Sequence, residues 1–207
     1  MRILFQGDSI TDALRNREND QYRGVGYATL VSAKLGFEHP GEYEFINRGV
    51  SGNRITNLVT RMKADMINLK PDVMSILIGV NDVWHEVQRQ NGVDTHLYEK
   101  LYNILIEELK TALPNIRIMI MEPFVLQGTA TLENWEVFRS EVEQRAAAAK
   151  RVAEKNGLEF IPLQAKMDNA TAIAPADYWL MDGVHPTAMG HELIAREWIK
   201  TFLREGE

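Results

Sequence analysis

The sequence predicts an α/β protein, with a mostly parallel sheet covered by helices on both faces in a doubly wound arrangement. Three observations carry this expectation. Short apolar runs of strand length alternate with longer stretches of helical pattern, the alternation that builds parallel sheets. The runs number five, too few for an eight-stranded barrel. Three of the four longest irregular stretches follow a predicted strand directly or nearly so, where ligands bind in such folds.

The strand candidates are residues 2–6, 43–47, 72–78, 116–122 and 158–161, each rich in Ile, Val, Leu, Phe or Met. Buried on both faces, such strands read as near-continuous apolar runs. The helix candidates are 27–35, 55–69, 97–113, 135–156 and 187–203. Gly36 offers a stop for the first, Pro71 and Pro114 for the second and third, and Gly157 for the fourth. In the last, Ile194, Trp198 and Phe202 share one face at a spacing of four. The irregular stretches are 12–26, 79–94, 123–134 and 174–186. No repeat, low-complexity segment or linker divides the chain, so residues 1–207 read as one domain.

Four loops carry residues with chemical potential. Gly7-Asp8-Ser9-Ile10-Thr11 follows the first strand. It places Ser9 at a strand-to-helix corner, where backbone N–H groups can face a developing anion; Asp8 or Ser9 serves equally as a helix cap. Asn47-Arg48-Gly49-Val50-Ser51-Gly52-Asn53 follows the second strand, and its glycines suit a tight turn close to a ligand. Gly49 to Asn53 nearly spells a nucleophile elbow, but Asn53 replaces the last glycine, which makes Ser51 a weaker nucleophile than Ser9. Gly79-Val80-Asn81-Asp82 follows the third strand, and the Asn81 amide can donate to an oxyanion or merely start an Asx turn. Asp182-Gly183-Val184-His185-Pro186 precedes the last helix. His185 there can act as a base, and Asp182 can fold back to hold its tautomer, with Asp177 the other carboxylate at hand. Alone, each has a bland reading. Together they supply a nucleophile, base, orienter and oxyanion donors, the parts acyl transfer needs.

Composition narrows the class. Of 207 residues, 45% are hydrophobic and 25% charged, a globular composition that excludes disorder and collagen. There is no cysteine, which excludes disulfides, thiolate metal sites and a cysteine nucleophile. The formal net charge of -6 argues against a nucleic-acid partner. No apolar leader follows Met1 and no run reaches membrane-spanning length, so the expected location is cytoplasmic, with no membrane partner.

With these blocks in hand, the chain resembles the SGNH hydrolases, a branch of the GDSL esterases and lipases. Gly7-Asp8-Ser9-Ile10 matches the first block, with Ile10 in place of Leu, and Gly52, Asn81 and the Asp182/His185 pair match the others in order. The resemblance implies Ser9 as nucleophile, His185 as base and Asp182 as its orienter. It implies an oxyanion hole of the Ser9 and Gly52 N–H groups and the Asn81 amide. The implied fold is a three-layer α/β/α sandwich with a five-stranded parallel sheet, flavodoxin-like in strand order.

Within the family, Ile-Gly-Val-Asn-Asp-Val-Trp (78–84) and Val-His-Pro-Thr-Ala-Met-Gly-His (184–191) are similar to bacterial acetylxylan and acetyl-oligosaccharide esterases. That implies removal of acetyl groups from acetylated sugars or xylo-oligosaccharides, with no metal and no organic cofactor. Lysophospholipases, thioesterases and arylesterases share the framework, and a non-catalytic binding module is the alternative of another class. Asp8, Trp84 and Trp179 are candidates for the substrate pocket; Trp179 suits stacking on a sugar and packing alike. Oligomeric state stays open, a homo-oligomer included.

The remaining motifs read as structural. Arg15, Arg17 and Arg23 read as a solvated loop that is also placed to steer an acidic substrate. His85 and His96 lack ligand-like spacing and read as surface. His191-Glu192-Leu193-Ile194-Ala195 lacks the second His of a zinc-protease helix, and Gly24-Val25-Gly26 lacks the third glycine of a dinucleotide loop.

Overall fold

The computed structural model describes residues 1–204. Five parallel strands run in the order β2-β1-β3-β4-β5: β1 (Arg2–Gly7), β2 (Glu44–Asn47), β3 (Val73–Leu77), β4 (Arg117–Met121) and β5 (Glu159–Ile161). This is the flavodoxin-like order, whose switch point lies between β1 and β3. The register explains the two-sided core. Ile3 and Phe5 of β1, Val73 and Leu77 of β3, and Met119 and Met121 of β4 point into one layer. Leu4, Met74, Ile76, Ile118 and Ile120, one residue out of phase, point into the other.

The helices are α1 (Ser9–Asp12), α2 (Tyr27–Glu38), α3 (Ile55–Asp65), α4 (Val80–Arg89), α5 (Thr95–Ala112), α6 (Trp135–Asn156), α7 (Gln164–Ala170), α8 (Ala176–Trp179) and α9 (Ala188–Leu203). Helices α2 and α9 cover the first face. There Trp198 is fully buried against Phe5, with ring centroids 5.4 Å apart. Helices α3 and α5 and the alanine-rich part of α6 cover the second, where Ala148 and Ala149 let α6 approach closely. The result is an α/β/α sandwich with both faces of the sheet sealed. No helix of the described residues is long and apolar enough to cross a membrane.

Several boundaries depart from the sequence reading. Helix α2 runs through Gly36 to Glu38, because Pro40 rather than the glycine ends it: the residue before a proline is pushed out of the helical region. The Lys34–Glu38 ion pair at 2.7 Å spans that last turn. The predicted 55–69 helix breaks at Met66, whose backbone leaves the helical region as its side chain turns into the core, and a 3₁₀ turn, Ile67–Leu69, follows. The stretch 79–94 is not irregular: it holds α4. The 174–186 stretch contains α8, and α7 lies where no element was expected.

Candidate active site

The first three strands all end at one edge of the sheet, and each hands the chain to a loop that carries a candidate residue. Beyond β1, Asp8 caps the single turn of α1 by accepting the Ile10 N–H at 3.0 Å, which fixes Ser9 as the first helical residue. The N–H groups of a first turn have no partner inside the helix. Asp8 is itself buried. That burial raises its pKa to about 7, against the hydrogen bond from Ile10 and the charge of His185.

From the other end of the chain, His185 reaches Ser9. Its Nε2 lies 3.0 Å from Ser9 Oγ, and its Nδ1 lies 2.7 Å from Asp182 Oδ2. The other carboxylate oxygen, Asp182 Oδ1, accepts the backbone N–H groups of Val184 and His185 at 2.9 and 2.8 Å. Partial burial works to raise the Asp182 pKa, but these hydrogen bonds outweigh it and hold the pKa down to about 2. His185 shifts upward, mainly through its bond to Asp182 and against the effect of burial. The loop is anchored from outside: Leu126 N–H donates to Gly183 O and Ala130 N–H to Asp182 O, both at 2.9 Å. Asp177, the other carboxylate near this loop in sequence, is exposed on α8.

The loop after β2 closes onto α1. A Cβ at Gly49 would lie 2.2 Å from the Asp12 backbone nitrogen, so only glycine permits this approach. Gly52 adopts φ +79, the left-handed region, and open space lies before it. Three side chains hold this loop. Asp12 accepts the Ser51 N–H at 3.1 Å, and Asn47 accepts the Gly49 N–H at 2.9 Å. Arg61 of α3 donates to Asn53 Oδ1 (2.7 Å), Arg48 O (2.8 Å), Gln6 Oε1 (2.6 Å) and Gly7 O (3.2 Å), stitching the loop to the end of β1. Ser51 is exposed and has no histidine partner among the described residues.

After β3, Asn81 sits in the first turn of α4. Its Nδ2 is buried and makes no full hydrogen bond among the described residues, though it lies close enough to Asp8 to lower that carboxyl slightly. One turn on, the Trp84 ring lies 5.6 Å from the His185 ring and 6.1 Å from Phe138. Thus Ser9, Asp182 and His185 form one hydrogen-bonded chain, and Trp84 flanks it. Trp179 lies elsewhere: its Nε1 donates to Ala174 O at 3.2 Å, and its ring borders a shallow depression on α9 with Met189 and Leu193.

A cavity of about 780 Å³ opens beside Ser9. Its walls include Leu14, Val25 and Met181, with Arg15, Arg17 and His191 as charged or polar members. The arginines are not simply solvated. Arg15 Nε donates to Gly49 O at 2.7 Å, Arg17 pairs with Asp12 at 3.1 Å, and Arg23 donates to Asp20 O at 2.8 Å while covering the Phe45 ring. His85 is half-buried and His96 exposed. No cluster of three or more His, Asp or Glu placed to hold a metal occurs among the described residues. Arg61, Asp12 and His191 do not stand out as site residues in the sequence. Only for His191, in the same block as His185, did the sequence carry a signal.

Residues 5–193 match the sequence model of the GDSL-like Lipase/Acylhydrolase family. The chain is 32% identical, over an alignment of 213 positions, to an acetylxylan esterase of Geobacillus stearothermophilus, covering 99% of this chain and 93% of that protein. The fold superposes on an acetylxylan esterase from that organism with a TM-score of 0.85 and 30% identity, over 96% of this chain and 92% of the other. Solved structures of that esterase include catalytic mutants in which a serine, an aspartate or a histidine is replaced by alanine. A GDSL-like protein from Parabacteroides merdae superposes with a TM-score of 0.90 and 36% identity, over 96% of this chain and 94% of that one.

Proposed function

Because the chain belongs to the GDSL-like lipase/acylhydrolase family and is a carboxylic ester hydrolase of the acetyl-ester type, we propose that it deacetylates xylo-oligosaccharides or related acetylated sugars through a Ser9–His185–Asp182 triad in one domain. The observation that carries this reading is the continuous chain Ser9 Oγ to His185 Nε2 (3.0 Å) and His185 Nδ1 to Asp182 Oδ2 (2.7 Å). With Asp182 ionised at neutral pH, the His185 proton sits on Nδ1 and the Nε2 lone pair faces the serine.

Ser9 Oγ attacks the ester carbonyl while His185 Nε2 takes its proton. The tetrahedral oxyanion is stabilised by the N–H groups of Ser9 and Gly52 and by the Asn81 amide, whose buried Nδ2 has no full partner among the described residues. On collapse, His185 returns the proton to the leaving sugar oxygen and an acetyl-Ser9 ester remains. Water, deprotonated by His185, attacks that ester, and acetate leaves with Ser9 restored. The Gly52 loop meets its donor geometry without cost during reaction, because Asp12, Asn47 and Arg61 have already fixed it.

A second reading keeps the site and exchanges the substrate for a lysophospholipid, thioester or aryl ester. Leu14, Val25 and Met181, exposed apolar walls of the cavity, favour it. The experiment is one panel of acetylated xylobiose, acetyl and octanoyl nitrophenyl esters, and lysophospholipid, run on the wild type and on Ser9→Ala. Turnover of acetylated xylobiose that Ser9→Ala abolishes supports the proposal; preference for octanoyl or lysophospholipid promotes the second reading. Failure of an organophosphate probe to label Ser9 would indicate a binding module.

A further inference from the structure

The cavity beside Ser9 is far larger than an acetyl group, so it suits the alcohol part of the ester. One polar group in its wall has no role in the chemistry above. His191 lies in the first turn of α9, six residues after His185, and its ring is buried along one edge of the cavity. Its Nδ1 accepts the backbone N–H of Tyr27 at 3.1 Å. An imidazole nitrogen that accepts an N–H carries no proton, so in the neutral ring the proton is on Nε2. The ring is neutral: burial, and then the charge of His185, lower its pKa to about 4. Its orientation is fixed on both sides. The Tyr27 ring stacks against it at 6.4 Å and 27°, and a Cβ at Gly26 would lie 2.9 Å from Cε1. Tyr27 is in turn held by Thr11, whose Oγ1 is 3.0 Å from the Tyr27 hydroxyl. The Nε2–H has no acceptor among the described residues. A donor held in one tautomer and one rotamer, without a protein partner at the edge of a cavity, matches an acceptor that arrives with a ligand.

We propose that His191 is a substrate-binding residue whose Nε2–H donates to a hydroxyl or ring oxygen on the alcohol side of the ester, so that the cavity selects polyhydroxylated alcohols over featureless ones. The proposal deepens the reading of the site as an esterase for sugar acetates and rests on Ser9 as the nucleophile. It assigns His191 a binding role and no proton transfer.

The test separates His191's two nitrogens. In His191→Asn the shorter side chain offers Oδ1 to the Tyr27 N–H but carries no donor as far as Nε2; His191→Gln restores a donor at about that reach. Both are compared with the wild type on acetylated xylobiose, glycerol monoacetate and 4-nitrophenyl acetate, whose alcohol part has no hydroxyl. His191→Asn is expected to lower kcat/KM about 10-fold on acetylated xylobiose, chiefly through KM, the scale of one hydrogen bond. A smaller loss is expected on glycerol monoacetate and less than about 2-fold on nitrophenyl acetate, with His191→Gln recovering much of the difference. Equal losses on all three esters would make His191 a structural residue and overturn the proposal, as would no loss on either hydroxylated ester. Imidazole ¹⁵N spectra of the wild type at pH 7 give an independent reading, and a proton on Nδ1 would overturn the proposal too. If the wild type ignores acetylated xylobiose, the sugar-ester reading fails by itself, while glycerol monoacetate and the tautomer still decide the role of His191.

Discussion

The Asp82 carboxylate accepts the backbone N–H of Ile55 with both oxygens, at 3.1 and 3.3 Å, and so ties α4, which presents Asn81, to the start of α3, three residues beyond Gly52. Two candidate oxyanion donors from different loops are thereby held to one another through a buried acid. Asp82 is fully buried, and burial raises its pKa to about 8 against the Ile55 hydrogen bond and the charge of Arg145. A carboxyl whose folded pKa lies above its ordinary 3.8 binds its proton more tightly in the folded state. Its contribution to stability is complete below pH 3.8 and is lost as pH rises towards about 8. Asp82→Asn, which keeps an acceptor for Ile55 and never ionises, should gain stability over the wild type progressively across that window and hold a level advantage above it. The advantage should grow with each pH unit across that window by up to about 1.4 kcal/mol, the worth of one pKa unit. Urea denaturation at pH 5, 7 and 9 checks it; an advantage independent of pH would show that Asp82 ionises no more readily unfolded than folded.

Asn81→Ala should lower kcat about 10²-fold with little change in KM, the usual effect of removing one oxyanion donor. The motive is its buried Nδ2, which has no hydrogen-bond partner among the described residues. Steady-state kinetics on nitrophenyl acetate decide between this and a structural amide, whose removal would lower thermal stability and leave kcat within a few-fold.

In the proposed mechanism His185 must be neutral to accept the Ser9 proton, and its pKa lies above the ordinary 6.5 because Asp182 stabilises the charged ring. Activity should therefore fall as pH drops, with a midpoint above 6.5 in kcat/KM. Asp182→Asn should lose most turnover, and what remains should show a midpoint shifted to lower pH, since the stabilising charge is gone. A pH–rate profile unmoved by that substitution would reassign the titrating group, with Asp8, at about 7, the next to test.

The strands were legible in the sequence to within a residue or two because burial on both faces leaves an unbroken apolar run. The candidate loops were legible because each packs its chemistry into a few consecutive residues, and the strand order delivers them to one edge. Helix α4 was hidden by the Gly79-Val80-Asn81-Asp82 turn signal, although Val80, Val83, Trp84 and Val87 mark a helical face. Arg61 was not legible at all. On α3 it reads as a solvated cation, and nothing local reveals that its guanidinium reaches back to Gln6, 55 residues away. Long flexible side chains bury their polar ends wherever the fold leaves carbonyls unpaired, and that is a property of the tertiary arrangement.

The position of Trp84 bears on the acyl length the enzyme accepts. Its indole stands 5.6 Å from the His185 ring, and it lies one helical turn after Asn81. The walls of the large cavity do not include it, and we propose that it stands on the acyl side of the reacting carbon. A rigid indole there, backed by Phe138, would leave little room beyond a methyl group. The wild type should therefore cleave acetyl esters much faster than butyryl ones. The preference should be steep without being absolute, since a hydrophobic pocket discriminates by only about 1–3 kcal/mol per methylene. Trp84→Ala should improve butyryl relative to acetyl, and should lower stability by roughly 3 kcal/mol through the space it leaves. Rates for acetyl, butyryl and octanoyl nitrophenyl esters in both proteins separate the possibilities. A variant that loses stability but keeps the wild-type acyl profile would reduce Trp84 to packing beneath His185, and a wild type that prefers octanoyl would remove the acetyl preference itself.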